Sequence, residues 1–363
     1  MKRFTEKVHH EHEQKDVVWV KRKEETAQHQ DQQLQVKRKS EAPEQEQVTF
    51  KLPIVYSDKY GVRFCGMEKL HPFDAAKGAH VMKLLMQNEI VAAGRFYEPT
   101  EITKAELRKV HTRKYLRSLK WSLNSAKISE IPLLLFVPNK LVQRGYLRPM
   151  RFQTAGSILA GSLALRHGWS INLGGGFHHC CAHKGGGFCP YADITLLITK
   201  TLEVERNIGT VMIVDLDAHQ GNGHERDFYD NEKVFILDMY NAAIYPRDHE
   251  AKLAIRCAVE LRPRTADETY LKKLKRSLNY SLNEFRPDFL VYNAGTDILI
   301  GDPLGRLSIT PEGIMERDQI VFATCREQRI PIVMLLSGGY LKSSAKVIAE
   351  SIVNLKAKGL LTS

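Results

Sequence analysis

From about residue 48 onward, apolar positions fall into short β-branched runs separated by amphipathic stretches. The runs predict strands at 54–56, 170–173, 210–216, 234–239, 289–293 and 331–336. Several are apolar at every position rather than at alternate ones, which is the mark of parallel strands buried on both faces. Between them lie helical segments. The clearest opens at Thr265-Ala266-Asp267-Glu268 with the spacing of a capping box. It sets Tyr270, Leu271, Leu274, Leu278, Leu282 and Phe285 on one face, and Pro287 stops it. No internal repeat is visible. Strands alternating with helices predict an α/β fold, a three-layer arrangement with an open, mostly parallel central sheet flanked by helices, in one domain over residues 49–363.

Residues 1–48 break this pattern. They are rich in Gln, Glu, Lys and His and poor in aliphatics, so they are expected to be a disordered or loosely helical extension. Their triplets Lys21-Arg22-Lys23 and Lys37-Arg38-Lys39 read either as a two-part nuclear import signal or as part of a solvated tail. With 43% hydrophobic and 26% charged residues, the chain reads as an ordinary globular protein. The longest apolar runs, at 131–137 and 330–336, fall far short of the roughly 18 residues a membrane span needs, so no span is expected. The polar N-terminus suggests no secretory signal. Cys65, Cys180, Cys181, Cys189, Cys257 and Cys325 form no CxxC pair, so free thiols in a reducing intracellular compartment are expected. The net charge of +11 lies in the globular part, because residues 1–50 hold ten basic and ten acidic residues. A basic body suits acidic partners, or is simply a lysine-rich solvated surface. No nucleic-acid-reading motif is present, so sequence-specific nucleic acid binding is not expected.

The chemistry gathers at predicted strand ends. Val214-Asp215-Leu216-Asp217-Ala218-His219-Gln220-Gly221-Asn222-Gly223-His224 follows an apolar run. Residues two apart on an extended chain point the same way, so Asp215, Asp217 and His219 project together, and a divalent cation would relieve their repulsion. Gly221 and Gly223 are expected to let the chain turn sharply. Asn293-Ala294-Gly295-Thr296-Asp297 ends another strand and brings Asp297 to the same edge, where open α/β sheets bind ligands. Two carboxylates and one imidazole leave coordination positions open, which suits catalytic zinc, with iron(II) or manganese also allowed by ligand type. Gly174-Gly175-Gly176-Phe177-His178-His179 places two histidines on a loop, as a general acid and base would require. Ser337-Gly338-Gly339-Tyr340 offers a hydroxyl to a developing oxyanion. Cys180, Cys181 and His183 fit none of the usual structural zinc spacings.

These segments, with GGGFC at 185–189, YNAGTDILIGDPLG, EKLHPFDA at 68–75, HTRKYL at 111–116 and LVQRGYLRP at 141–149, resemble the zinc-dependent histone deacetylase superfamily. The resemblance is closest to its class IV, the histone deacetylase 11 type, and leaves residues 1–48 outside. It implies a central sheet of about eight strands. It implies one zinc per chain on Asp217, His219 and Asp297, His179 as general base and acid, His178 as its electrostatic partner, and Tyr340 as the carbonyl-polarising hydroxyl. It implies that Asp215 backs His178 and joins Asp217, His219, Asp238 and the Met239 carbonyl at a structural potassium ion. Gly187, Phe188 and Tyr245 match the tunnel that grips the acyl-lysine stem. Asn222 stands where many relatives carry a carboxylate, and is typical of class IV. The activity implied is hydrolysis of acetyl-lysine and long fatty-acyl-lysine amides by metal-activated water. The substrates would be histones or other proteins in the nucleus or cytoplasm, with chromatin or deacetylase complexes as partners. Three other classes compete. They are an acyl-lysine-binding scaffold without turnover, an amidohydrolase acting on a small acylated amine, and an arginase-like two-metal enzyme, whose further carboxylate is replaced here by Gly221.

Overall fold

The computed structural model describes residues 51–63, 74 and 76–362. The expectations for residues 1–48 and Cys65, and for all of the 68–75 segment but Asp74, lie outside them. Seven parallel strands form one sheet: β1 (Ile54–Val55), β2 (Trp169–Asn172), β3 (Val211–Asp215), β4 (Val234–Asn241), β5 (Cys257–Leu261), β6 (Phe289–Asn293) and β7 (Ile332–Leu335). Their order is β1-β2-β7-β6-β3-β4-β5, with every pair parallel. All strands therefore end at the same edge. The six predicted runs all become strands, with ends shifted by at most two residues. The seventh, β5, was not anticipated. It lies at the sheet's edge and alternates partly buried and exposed positions, so it lacks the continuous apolar run that marks the inner strands.

Helices cover both faces. Helices α1 (Lys77–Gln87), α5 (Asp267–Glu284), α6 (Pro311–Gln328) and α7 (Ser344–Ala357) pack on one side, and α2 (Arg148–His167) and α3 (Asp193–Val204) on the other; short α4 (Asn222–Asp227) follows β3. Along β3 the side chains alternate between the two cores: Met212 and Val214 join Val81, Leu274, Phe322 and Ile352, while Val211 and Ile213 join Ile158, Leu163, Ile194 and Leu197. That alternation explains why β3, β6 and β7 are almost wholly apolar up to their last positions.

One expectation is corrected here. The α5 cap is Ala266, not Thr265, and no side chain caps it. The Thr265 hydroxyl donates instead to the Arg262 carbonyl, and the Asp267 carboxylate accepts from the Thr310 amide and hydroxyl at the start of α6. The apolar run at 131–137, which is not among the predicted strands, lies outside the sheet. Pro132–Phe136 form a 3-10 turn with Leu134 buried and Leu133, Leu135 and Phe136 exposed.

One buried cation braces the active edge of the sheet. Arg317 on α6 is 1% exposed, pairs with Asp318 at 2.9 Å, and donates to the Gly295, Ala294 and Leu216 carbonyls just beyond β3 and β6. Arg317→Ala should leave Asp318 and these carbonyls uncompensated and lower the unfolding free energy by about 3–5 kcal/mol. Urea unfolding measures this, and a loss below about 1 kcal/mol would contradict the bracing role.

Candidate active site

The loops leaving β2, β3, β6 and β7 meet at one point. Asp217 and His219 follow β3, and Asp297 follows β6; all three are buried. Their ligating atoms lie within 4.8 Å of one another. His219 Nδ1 stands 3.1 Å from Asp217 Oδ1 and 2.8 Å from Asp297 Oδ2. Backbone and hydroxyl donors fix the two carboxylates. The Ser337 hydroxyl and the Gly338 amide, both beyond β7, donate to Asp217 Oδ2 at 2.9 Å, and the Ala218 amide donates to Asp297 Oδ1 at 2.8 Å. Burial, and then the neighbouring Asp217, raise the Asp297 carboxyl to about 7. Two carboxylates forced together in a dry site and aimed at one imidazole form a donor set that fits a small divalent cation.

Of the three groups read as projecting together from the end of β3, Asp215 does not join this cluster. Its Oδ1 accepts from the Asp217 amide and the Asn293 side chain, and its Oδ2 meets His178 Nδ1 at 3.0 Å and His224 Nε2 at 2.8 Å. His178, Asp215 and His224 also lie close enough together to ligate an ion, but their geometry is that of two rings sharing one carboxylate oxygen. Gly221 and Gly223 do not turn the chain through special angles, since neither has a positive φ. They provide clearance: a Cβ on Gly221 would stand 2.6 Å from Asp215 Oδ2, and one on Gly223 2.4 Å from the Cys180 carbonyl oxygen.

The tandem histidines part in their partners. Burial opposes charge on His178, but Asp215 and Asp217 outweigh it and hold its pKa up at about 9. Burial, then His178 and His219, push His179 well below the usual imidazole range. His179 Nδ1 donates to Asn222 Oδ1 at 2.9 Å, which leaves Nε2 as a free acceptor. The Asn222 amide cannot present its nitrogen instead, because Nδ2 donates to Asp248 Oδ2 at 3.1 Å. Arg226 in turn grips Asp248 with two guanidinium donors, at 2.9 and 2.6 Å. The contact expected between Asn222 and His179 is therefore present, and it is braced from behind.

Tyr340 stands across from this pair, its ring 6.3 Å from that of His219 and 6.0 Å from that of Phe188. Burial, then Asp297 and Asp217, keep its hydroxyl protonated far above neutral pH. Gly187, Phe188 and Tyr245 line a cleft of about 360 Å³ with His179, His219 and Tyr340, and Tyr245 lies edge-on to His179 at 4.9 Å. Gly187 has φ +49°, and a Cβ there would come within 2.3 Å of the His179 ring. Beside the histidines a larger pocket of about 1000 Å³, open past exposed Arg63, His80 and Lys342, is lined by Tyr60, Lys77, Leu173, Phe177 and Leu336 and reaches Asp217 and Tyr340.

Asp238 and Met239 sit side by side, buried, on β4 beneath the cluster. Asp238 Oδ2 accepts from the Gly221 amide at 2.8 Å, but its Oδ1 is buried with no partner, as is Glu225 Oε1. Burial, then Asp215 and Glu225, push the Asp238 carboxyl well up. This concentration of buried acid fits a monovalent cation as a further counter-charge.

Several contributors had no signal in the sequence. Lys77 on α1 is buried and donates to the Ser337 and Gly338 carbonyls at 2.6 and 2.9 Å, stiffening the loop that holds Asp217. Asp193, at the start of α3, accepts from the Gly176 and Phe177 amides and shapes the loop before the histidines. Asp302 accepts from the Tyr340 amide. Each acts through a long-range contact from a position that reads as ordinary helix or loop. Cys181 Sγ lies 3.7 Å from His183 Nδ1, and the two belong to none of the clusters with metal-site spacing among the described residues.

The histone deacetylase domain family model matches residues 71–356. The chain is 51% identical to Histone deacetylase 2 of Arabidopsis thaliana over 86% of its own length and 80% of that protein's. It is 28% identical to the acetoin utilization protein AcuC of Staphylococcus aureus over 80% of this chain and 77% of that one. Among solved structures, the HDA15 HD domain superposes with a TM-score of 0.69 at 21% identity, covering 86% of this chain and 88% of that one.

Gly187→Ala would have to hold an alanine in a left-handed conformation against the His179 ring. It should cost roughly 1–3 kcal/mol in denaturant unfolding, and a neutral effect would refute the close approach.

Proposed function

The chain belongs to the histone deacetylase domain family, and from that premise we propose that it is a zinc-dependent protein lysine deacylase of the class IV type. The observation that carries the proposal is that His219, His179 and Tyr340 line one cleft, with Asp217 and Asp297 against His219 and His178 against His179. A scaffold for acyl-lysine would need the cleft but not a charged histidine, a neutral histidine and a protonated tyrosine placed around it. We take residues 49–363 as the catalytic domain.

Asp217, His219 and Asp297 would hold the zinc, which supplies Lewis-acid polarisation of the acyl carbonyl and acidifies water. Gly187, Phe188 and Tyr245 grip the lysine stem and exclude bulk water. His179 Nε2, left free by the Asn222 contact, takes a proton from the attacking water and later delivers one to the leaving amine. His178, charged and tied to Asp215, favours the neutral state of His179 before attack. The Tyr340 hydroxyl donates to the carbonyl oxygen as that oxygen gains charge. Asp238, the Met239 carbonyl and Asp215 would hold a structural potassium ion.

Asn222 supports the class IV reading. An amide offers His179 an acceptor oxygen without a charge, so the imidazolium is stabilised less than by a carboxylate. The largely apolar pocket of about 1000 Å³ beside the histidines supports long acyl groups as substrates beside acetyl. The substrates we infer are acylated histones or other proteins, in nucleus or cytoplasm.

Tyr340→Phe should lower kcat on an acyl-lysine peptide by about 10²–10³ while metal content stays unchanged; unaltered turnover would remove Tyr340 from the mechanism. Elemental analysis should find Asp297→Ala nearly empty of zinc, and full occupancy would exclude Asp297 as a ligand. With acetyl- and myristoyl-lysine peptides of one sequence, kcat/KM should be the higher for myristoyl. Preference for acetyl would confine the reading to short acyl groups.

A further inference from the structure

We propose that residues 107–148 form a docking face for an anionic lipid bilayer beside the mouth of the cleft. The first observation is apolar exposure. Six of the twelve large hydrophobic side chains exposed among the described residues fall between 121 and 141. Trp121 is 72% and Phe136 82% exposed, with Leu123, Leu133, Leu135 and Leu141 beside them in sequence. These residues ride on packed short elements. The Ser122 hydroxyl donates to the Val137 carbonyl at 2.8 Å, and Asn139 and Gln143 side chains both donate to the Leu119 carbonyl. Exposed apolar groups brought together in this way mark an interaction surface rather than scattered surface leucines.

The second observation is charge. Residues 107–148 contain ten Lys/Arg and one acid, Glu130, so this stretch alone carries +9 of the chain's +11. All ten basic residues are exposed. Only Lys109 and Arg148 form ion pairs among the described residues, with Glu203 and Glu101. The other eight, including Lys114, Lys120, Lys127 and Lys140, present free charge to solvent.

The occupant must satisfy both properties together. Duplex nucleic acid would pair with the lysines but leave Trp121, Phe136 and the leucines in water, and a single strand could stack on the two aromatics but not cover the four leucines. The core of a protein interface selects against lysine. A bilayer surface takes both: aromatic and leucine side chains enter the boundary of headgroup and acyl chain, while Lys and Arg meet anionic headgroups. No helix among the described residues is long and apolar enough to span a membrane, so the contact is peripheral.

Its place gives the surface a purpose. The Ile128 carbonyl, between Trp121 and Phe136, accepts from the Phe188 amide at 2.8 Å, and Glu130 borders the cleft with Phe188 and Tyr245. If the deacylase reading above holds, a bilayer seated here would bring lysines anchored by their own fatty-acyl groups to the cleft.

The test is co-sedimentation of the full chain with vesicles of phosphatidylcholine alone or mixed with phosphatidylserine, with no substrate present. It therefore succeeds or fails independently of the deacylase reading. Binding is expected to the mixed vesicles only, with weakening by added salt and a blue shift of Trp121 emission. Trp121→Ser with Phe136→Ser, and separately Lys120→Glu with Lys140→Glu, should each reduce partitioning by about tenfold or more. Turnover on a soluble acetyl-lysine peptide should stay unchanged in both, which also reports correct folding. Absence of wild-type binding to mixed vesicles would overturn the proposal. So would equal binding by the variants, duplex DNA binding that the Lys variants alone abolish, or a solution dimer lost with Trp121 and Phe136.

Discussion

Two carboxylates face one another in the interior at the carboxyl ends of adjacent parallel strands, and most of the surrounding structure answers to that arrangement. Charges of like sign in a dry site stay close only with donors and counter-charges to stabilise them. Asp217 receives the Ser337 hydroxyl and the Gly338 amide, Asp297 receives the Ala218 amide, and His219 lies between them. Behind the loops, Lys77 and Arg317 occupy their carbonyls and bring buried positive charge to the same edge. The net demand for a cation remains, and it is this demand that fits the edge to hold a metal ion.

The same constraint orders the histidines. His178 is tied to Asp215 and faces Asp217, so it sits where positive charge is favoured. His179, one residue on, has only an amide oxygen for a partner and the His178, His219 and Tyr245 rings for neighbours, so it sits where charge is disfavoured. Adjacent residues of one type thereby acquire opposite protonation preferences, which is the division that acid–base hydrolysis uses. The orientation of Asn222 sustains this, and it depends on Asp248 and Arg226, residues with no evident link to chemistry in the sequence.

What the sequence made legible follows from burial. Inner strands buried on both faces leave continuous apolar runs, and reactive residues stand out because they interrupt those runs at strand ends. Asp217, His219, His178, His179, Asp297 and Tyr340 were all visible in that way. β5 was not, because an edge strand wets one face and dilutes its pattern. The cap expected at Thr265 failed because its hydroxyl turns back to the Arg262 carbonyl, while Asp267 serves the next helix through a tertiary contact that local spacing cannot reveal. The division of labour between Asp215 and its neighbours was not fixed by spacing either, since two residues beyond the strand the chain no longer follows its alternation. The excess positive charge was countable from composition, but its union with exposed Trp121 and Phe136 appears only once the structure shows the 131–137 run as a surface turn.

The central claim is that one divalent ion, held by Asp217, His219 and Asp297, makes this edge a hydrolytic site. Stripping the protein with a chelator and titrating zinc back while following cleavage of an acyl-lysine peptide tests it most directly. The account predicts no cleavage without metal and recovery that saturates at one zinc per chain. Cleavage by the stripped protein, or recovery that needs two equivalents, would contradict it.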